Sequence, residues 1–273
     1  MSFDIAHPDV QRAVADALAE DVRTGDITTD ATIAAKLQAE GHFVARQDLT
    51  LAGVELLTLL YDNPVIKVPS GTGVHAGQEI AIVRGPARLL LTRERVALNF
   101  LQRLSGVATL AARFVDAVAG TGVRILDTRK TTPGLRVLEK MAAASGGVVN
   151  HRMGLWDAVL IKNNHIRLAG GVRAAVERAR PLGKPIEVEV RTRAEIEVAL
   201  DCGAGRLLLD NMTPAQAAEE IRFIARWAEV EISGGVTLEN VRAYADAGPD
   251  FISSGAITHS ATAVDINCGI YEI

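Results

Sequence analysis

Apolar and polar positions follow two different rhythms along this chain, and the change comes near its middle. Over residues 8–22, Val10, Val14, Leu18 and Val22 recur at helical spacing, and Pro8 suits a first turn. Short segments of strand-like alternation follow at 42–46, 65–68 and 79–83, with Gly71, Gly73 and Gly77 as turn residues between them. Residues 87–118 read as a long helical stretch, with a break expected near Gly106. These elements predict a small α+β domain that ends in helices.

From Val123 onward the pattern becomes strand, loop and helix, repeated. Strands are expected at 123–127, 158–162, 186–190, 207–210, 230–233 and 251–254. Helix starts are marked by the capping-box pair Thr192 and Glu195 and by Thr213 ahead of Pro214. Gly203 and Gly248 fall just past two helices, where a left-handed residue is wanted. Strands separated by helices pair in parallel. Six such units predict a β/α barrel, closed or nearly so, with an open doubly wound sheet as the alternative.

The polar residues then acquire a meaning. Each apolar strand ends on a polar or ionisable side chain: Asp127, Lys162, Glu189, Asp210, Ser233 and Ser254. In a β/α barrel these ends share one face, which is where sites are built. That a strand simply ends where water begins explains one such residue better than it explains six of mixed charge.

Composition narrows the classes. The chain has 273 residues, enough for two modest domains with a core each. With 29 Lys+Arg against 33 Asp+Glu its net charge is −4, which argues against a nucleic-acid or polybasic membrane protein. No apolar run reaches the ~20 residues of a membrane-spanning helix. The opening residues show no basic-then-apolar leader, so a cytoplasmic protein is expected, with Cys202 and Cys268 as reduced thiols.

Charge is unevenly spread. Residues 124–173 hold nine Lys or Arg against three acidic residues, a net of +6 that leaves −10 for the remainder. Arg167 and Arg173 flank a helix start and read as solvated face. Arg129, Lys130, His151, Arg152 and Lys162 stand in loops or at strand ends, where together they offer donors to several carboxylate or phosphate oxygens. Two turns, Ser233-Gly234-Gly235 and Ser254-Gly255-Ala256, follow late strands and suit a phosphate approached by backbone N–H groups. Glu189 and Asp210 face this basic ring either as ion-pair partners or as Mg²⁺ ligands beside phosphate. No His/Cys grouping has zinc spacing and no G-x-S-x-G elbow occurs. The residues alone leave three readings open: a phosphate-handling β/α-barrel enzyme, a Schiff-base aldolase-like enzyme using Lys162, and a non-catalytic protein that binds anionic metabolites.

A family resemblance extends this. The run Asp127-Thr128-Arg129-Lys130-Thr131-Thr132-Pro133-Gly134-Leu135-Arg136, with Asn150-His151-Arg152 and Ile161-Lys162-Asn163-Asn164-His165, resembles the quinolinate phosphoribosyltransferases over nearly the whole chain. The resemblance implies an α/β fold: an N-terminal sandwich domain over 1–112, joined by the tail 264–273, and an incomplete seven-stranded β/α barrel over 113–263. It implies transfer of the phosphoribosyl group of phosphoribosyl pyrophosphate to the ring nitrogen of quinolinate with loss of CO₂, giving nicotinate mononucleotide and pyrophosphate. Quinolinate maps onto Thr128, Arg129, Lys130, His151, Arg152 and Lys162, with Arg103 supplied across a homodimer interface. Phosphoribosyl pyrophosphate and Mg²⁺ map onto Glu189 and Asp210, and the 5′-phosphate onto Ser233, Gly234, Gly235, Ser254, Gly255 and Ala256. Lys130, Lys162, Glu189 and Asp210 carry the catalytic expectation. The chain departs from the family pattern at Met141, Val148 and Asn163, none of which is a mapped ligand.

Overall fold

The first helix of the computed structural model, which describes residues 3–273, runs Pro8–Val22 and buries Val10 and Val14, as the apolar spacing requires. The chain forms two compact units. The first holds the residues through Ala112 together with Thr131–Gly147 and Ile257–Ile273; the second holds Arg113–Lys130 and Val148–Ala256.

In the first unit the strands are β1 (Gln38–Ala45), β2 (Leu49–Thr50), β3 (Val65–Ile66), β4 (Gly73–Val74), β5 (Glu79–Pro86) and, from the tail, β12 (Ile266–Glu272). Four of them form an antiparallel sheet in the order β12-β1-β5-β3. The tail thus pairs with β1, from Ala39 opposite Glu272 to Ala45 opposite Ile266. Alternation on β1 buries Ala39, Phe43 and Ala45 on one side of its pleat.

The helix Ala87–Ala117 is continuous for 31 residues, so the break expected at Gly106 does not occur. Gly106 is there for close approach: a Cβ on it would lie 2.2 Å from the Thr262 carbonyl oxygen. Gly146 does the same, since its Cβ would fall 2.3 Å from the Ala108 carbonyl oxygen. Backbone therefore packs directly on this helix at two places. That is why the helix Arg136–Ser145 and residues 257–263 group with the first unit, although the sequence division places them in the barrel.

The second unit is built on β6 (Arg124–Leu126), β7 (Val159–Ile161), β8 (Ile186–Val190), β9 (Arg206–Asp210), β10 (Glu229–Ser233) and β11 (Phe251–Ser253). All pair in parallel, in the order β6-β11-β10-β9-β8-β7. From β7 to β11 each strand lies beside its successor, and the first strand pairs with the last. That winding is a barrel's; a doubly wound sheet would reverse direction midway. Six strands stand among the described residues where the resemblance implies seven. In place of the seventh, Val149 makes a one-residue parallel bridge to Leu126. Val188, Leu207, Leu209, Ile232 and Ile252 are fully buried, as expected of a parallel sheet covered on both faces. No helix among the described residues is long and apolar enough to cross a membrane.

Candidate active site

Parallel pairing brings the six polar strand ends to one edge of this sheet. Asp210 and Ser233 are the last residues of β9 and β10, Glu189 is the last but one of β8, and Asp127, Lys162 and Ser254 each follow a strand directly. Register sets Glu189 opposite Leu208, so Asp210 stands one pleat further along the neighbouring strand. Strand rise and spacing separate their Cα atoms by about 8 Å.

Asp127 anchors the cationic part. It is fully buried; Oδ1 accepts the His151 backbone N–H at 2.8 Å and Oδ2 accepts Asn150 Nδ2 at 2.6 Å. The segment carrying His151 and Arg152 is thereby held at the end of β6. Arg152 Nη1 donates to the Ala158 carbonyl at 3.1 Å. Burial, and then the positive charge of Arg129, push the Arg152 pKa down, while Glu187 and Asp157 pull it up. Two guanidiniums are therefore held close enough to repel. The Lys130 N–H donates to Thr128 Oγ1 at 3.0 Å, which tightens the turn that carries Thr128, Arg129 and Lys130.

Lys162 caps the helix Asn163–Ala169, and its half-exposed ammonium lies 3.6 Å from Glu189 Oε2. Glu189 Oε1 accepts the Asn163 N–H at 3.2 Å. Glu189 is thus partly the ion-pair partner that charge alone allowed. No ion pair or side-chain hydrogen bond engages Asp210 among the described residues.

The two late turns differ. In the first, Gly234 has φ +96° and Gly235 φ +62°, and a Cβ on Gly234 would meet Asn211 Oδ1 at 2.3 Å, so only glycine fits. In the second, the Ser254 hydroxyl donates to the Val236 carbonyl at 2.8 Å and accepts the Ala256 N–H at 3.3 Å. That hydroxyl shapes its own turn.

Arg103 is engaged within its own chain. It lies in the first unit, where Nε and Nη2 donate to Glu139 Oε1 at 3.1 and 2.7 Å, Nη1 to the Ala261 carbonyl at 2.6 Å and Nη2 to the Thr258 carbonyl at 2.6 Å. Glu139 is fully buried and also accepts from the Thr132 N–H and hydroxyl. A guanidinium with four of its five N–H groups engaged inside its own chain is a strut.

Sequence reasoning passed over Glu187 and Glu231. Both are buried and converge on His151 Nε2, at 3.3 and 3.4 Å. Burial acts to lower the His151 pKa, but the two glutamates outweigh it and bring it up to about 9. Burial is also the largest cause raising the Glu187 pKa. The cluster therefore retains one proton beyond that of the neutral ring, and because Nδ1 accepts the Arg152 N–H at 2.7 Å, that extra proton lies on the carboxylate side, at Glu187, and the ring keeps its own on Nε2. The signal was present as a period of two: Glu187 lies on the face of Glu189, and Glu231 on that of Ser233.

Comparisons with known proteins agree over the whole chain. Residues 26–105 match the family model described as quinolinate phosphoribosyl transferase, N-terminal domain, and residues 107–268 match its C-terminal domain. The chain is 41% identical to the nicotinate-nucleotide pyrophosphorylase [carboxylating] of Mycobacterium leprae, covering 97% of this chain and 96% of that one. It is 40% identical to the chloroplastic enzyme of that name from Arabidopsis thaliana, covering 97% and 84%. The crystal structure of NadC from Streptococcus pyogenes superposes with a TM-score of 0.94 at 34% identity, covering 100% of this chain and 99% of that one.

Proposed function

The chain belongs to the quinolinate phosphoribosyltransferase family, and on that premise we propose that the cationic strand ends of its second unit bind quinolinate beside phosphoribosyl pyrophosphate. The enzyme transfers the phosphoribosyl group to the quinolinate ring nitrogen and releases pyrophosphate and CO₂, forming nicotinate mononucleotide for NAD biosynthesis. The observation that carries the residue assignment is the anchoring of His151 and Arg152 at the end of β6 by the buried carboxylate of Asp127, with Arg129 near enough for its charge to act on Arg152. An anion between the two guanidiniums would offset their repulsion.

Quinolinate carries carboxylates on adjacent ring carbons. Arg129 and Arg152 would grip them, with Thr128, Lys130, Lys162 and the His151 ring around the same ligand. Charge-assisted hydrogen bonds contribute roughly 1.5–3 kcal/mol each, so three or four suffice for micromolar binding after entropic losses. During transfer a bond forms between the ring nitrogen and the anomeric carbon as the bond to pyrophosphate breaks. Glu189 would stabilise positive character on the sugar, and Lys130 and Lys162 negative charge on the departing diphosphate. Once ribosylated, the ring nitrogen is itself the electron sink for loss of CO₂.

Asp210, with no side-chain partner of its own, and Glu189 fit Mg²⁺ as hard oxygen donors, and Mg²⁺ when bound neutralises diphosphate charge. The Ser233-Gly234-Gly235 and Ser254-Gly255-Ala256 turns would take the 5′-phosphate through backbone N–H groups. Residence in the cytoplasm, with Cys202 and Cys268 as free thiols, belongs to the same proposal. So does a homodimer. Arg103 would reach the neighbouring subunit's site across that dimer, so co-expressed Arg103→Ala and Lys162→Ala chains are expected to recover some activity; none from verified mixed dimers would confine Arg103 to its own chain. The direct test is nicotinate mononucleotide and CO₂ appearing from quinolinate, phosphoribosyl pyrophosphate and Mg²⁺. Tight quinolinate binding without CO₂ release would refute the catalytic assignment.

A further inference from the structure

Two carboxylates buried inside a parallel barrel are costly, and nothing in the transfer chemistry above uses them. Glu187 and Glu231 sit on β8 and β10, two strands separated by β9, with Leu208 in register with Glu231. Glu187 Oε1 and both oxygens of Glu231 have no hydrogen-bond partner, and the near neighbour they share is the His151 ring. A buried acceptor left this way calls for a reason.

The opposite edge of the ring supplies one. His151 Nδ1 accepts the backbone N–H of Arg152 at 2.7 Å. An acceptor nitrogen carries no proton, so the ring proton is on Nε2 and points between the two carboxylates. We propose that Glu187 and Glu231 are positioning residues of the quinolinate pocket: two carboxylates 3.3 and 3.4 Å from Nε2 favour the ring proton on that nitrogen, keep Nδ1 available to the Arg152 N–H, and so fix the backbone from which the Arg152 guanidinium extends. His151 then acts through Arg152, since both of its nitrogens face protein. The inference rests on the assignment of Arg152 to quinolinate made above.

A metal ion is the competing explanation, because the three ligand atoms lie within 4.8 Å of one another. Ligation through Nε2 needs a lone pair there and a proton on Nδ1, which the Arg152 N–H contact opposes.

The test has two parts. In the resting protein labelled with ¹⁵N-histidine, long-range proton–nitrogen spectra are expected to show His151 protonated on Nε2 and bare on Nδ1. In kinetics, Glu187→Leu and Glu231→Leu are expected to raise KM for quinolinate ~10- to 100-fold, the range for a lost buried partner, with KM for phosphoribosyl pyrophosphate within ~2-fold of the parent. Glu187→Gln and Glu231→Gln retain an acceptor oxygen and are expected to stay within ~5-fold. A proton on Nδ1 of the parent, unchanged quinolinate KM in the leucine variants, or one tightly held metal ion per chain that the Glu231→Leu change removes would each overturn the proposal. Should the leucine variants fail to fold, the parent spectrum and the glutamine variants still decide. The spectrum needs no substrate, so a failed quinolinate assignment would leave it standing and be recognised separately.

Discussion

The two edges of the parallel sheet treat charge in opposite ways. Where the strands begin, the charges of Arg124, Arg206 and Glu229 are answered within the protein. Arg206 donates to Glu229 Oε2 through Nε at 3.0 Å and Nη2 at 2.7 Å, and Arg124 Nη2 lies 4.0 Å from Glu229 Oε1. The same two guanidiniums cover the Phe251 ring, at 4.2 Å for Arg124 and 4.1 Å for Arg206. Where the strands end, the Arg129 charge acts against that of Arg152, and Asp210 has no side-chain partner among the described residues. One edge contributes stability to the chain as it is. The other gathers cations beside acidic strand ends on the face where a barrel builds its site.

The sharpest way to break that contrast is to remove the repelling cations. Arg129→Ala and Arg152→Ala are each expected to lower kcat/KM for quinolinate at least ~100-fold, equivalent to about 2.7 kcal/mol. Thermal unfolding should change little, because the relieved like-charge contact offsets the lost hydrogen bond from Arg152 to the Ala158 carbonyl. Near-normal quinolinate kinetics with lowered stability would place both residues in the scaffold. A smaller effect is expected for Asp210→Asn: a loss of ~10-fold or more in kcat/KM, carried by phosphoribosyl pyrophosphate and its Mg²⁺ requirement. Its melting temperature should be unchanged, since no internal contact is lost.

Legibility in the sequence differed with the distance over which each feature is determined. The helix Pro8–Val22 and strand β8 were readable to the residue, and the hydroxyl cap expected at Thr213 ahead of Pro214 is present, with Thr213 Oγ1 accepting the Gln216 N–H at 3.3 Å. These depend on neighbours a few positions away. Gly106 was misread as a helix breaker because its reason, the Thr262 carbonyl, lies 156 residues further along the chain. The pairing of β12 with β1 was invisible in the residues for the same cause, and only the family resemblance implied it. Within the site, the strand-end rule found Asp127, Lys162, Glu189 and Asp210. It overlooked Glu187 and Glu231 because it asked where strands stop and not which face each residue occupies. The contacts of Arg103 with Glu139, Thr258 and Ala261 were not legible either, because they join positions 36 to 158 residues apart.

The smallest effects belong to the edge where the strands begin. Arg206→Ala is expected to cost about 1–2 kcal/mol of stability, from a cation–π contact of about 0.5–1 kcal/mol and a half-exposed ion pair of about 0.2–1 kcal/mol. Quinolinate kinetics should not change. A double-mutant cycle of Arg206→Ala with Glu229→Ala then isolates the ion pair. Its coupling should be favourable, about 0.5 kcal/mol, and should fade at roughly 1 M salt, where the screening length falls to ~3 Å. The same cycle on Arg129 and Arg152, in protein without ligand, should give coupling of the opposite sign, because each cation is destabilised by the other. Excess quinolinate should then reverse that second sign and leave the first alone. If both cycles give the same sign without ligand, the two edges do not differ in kind, and the strand ends would be no more poised for an anion than the strand starts.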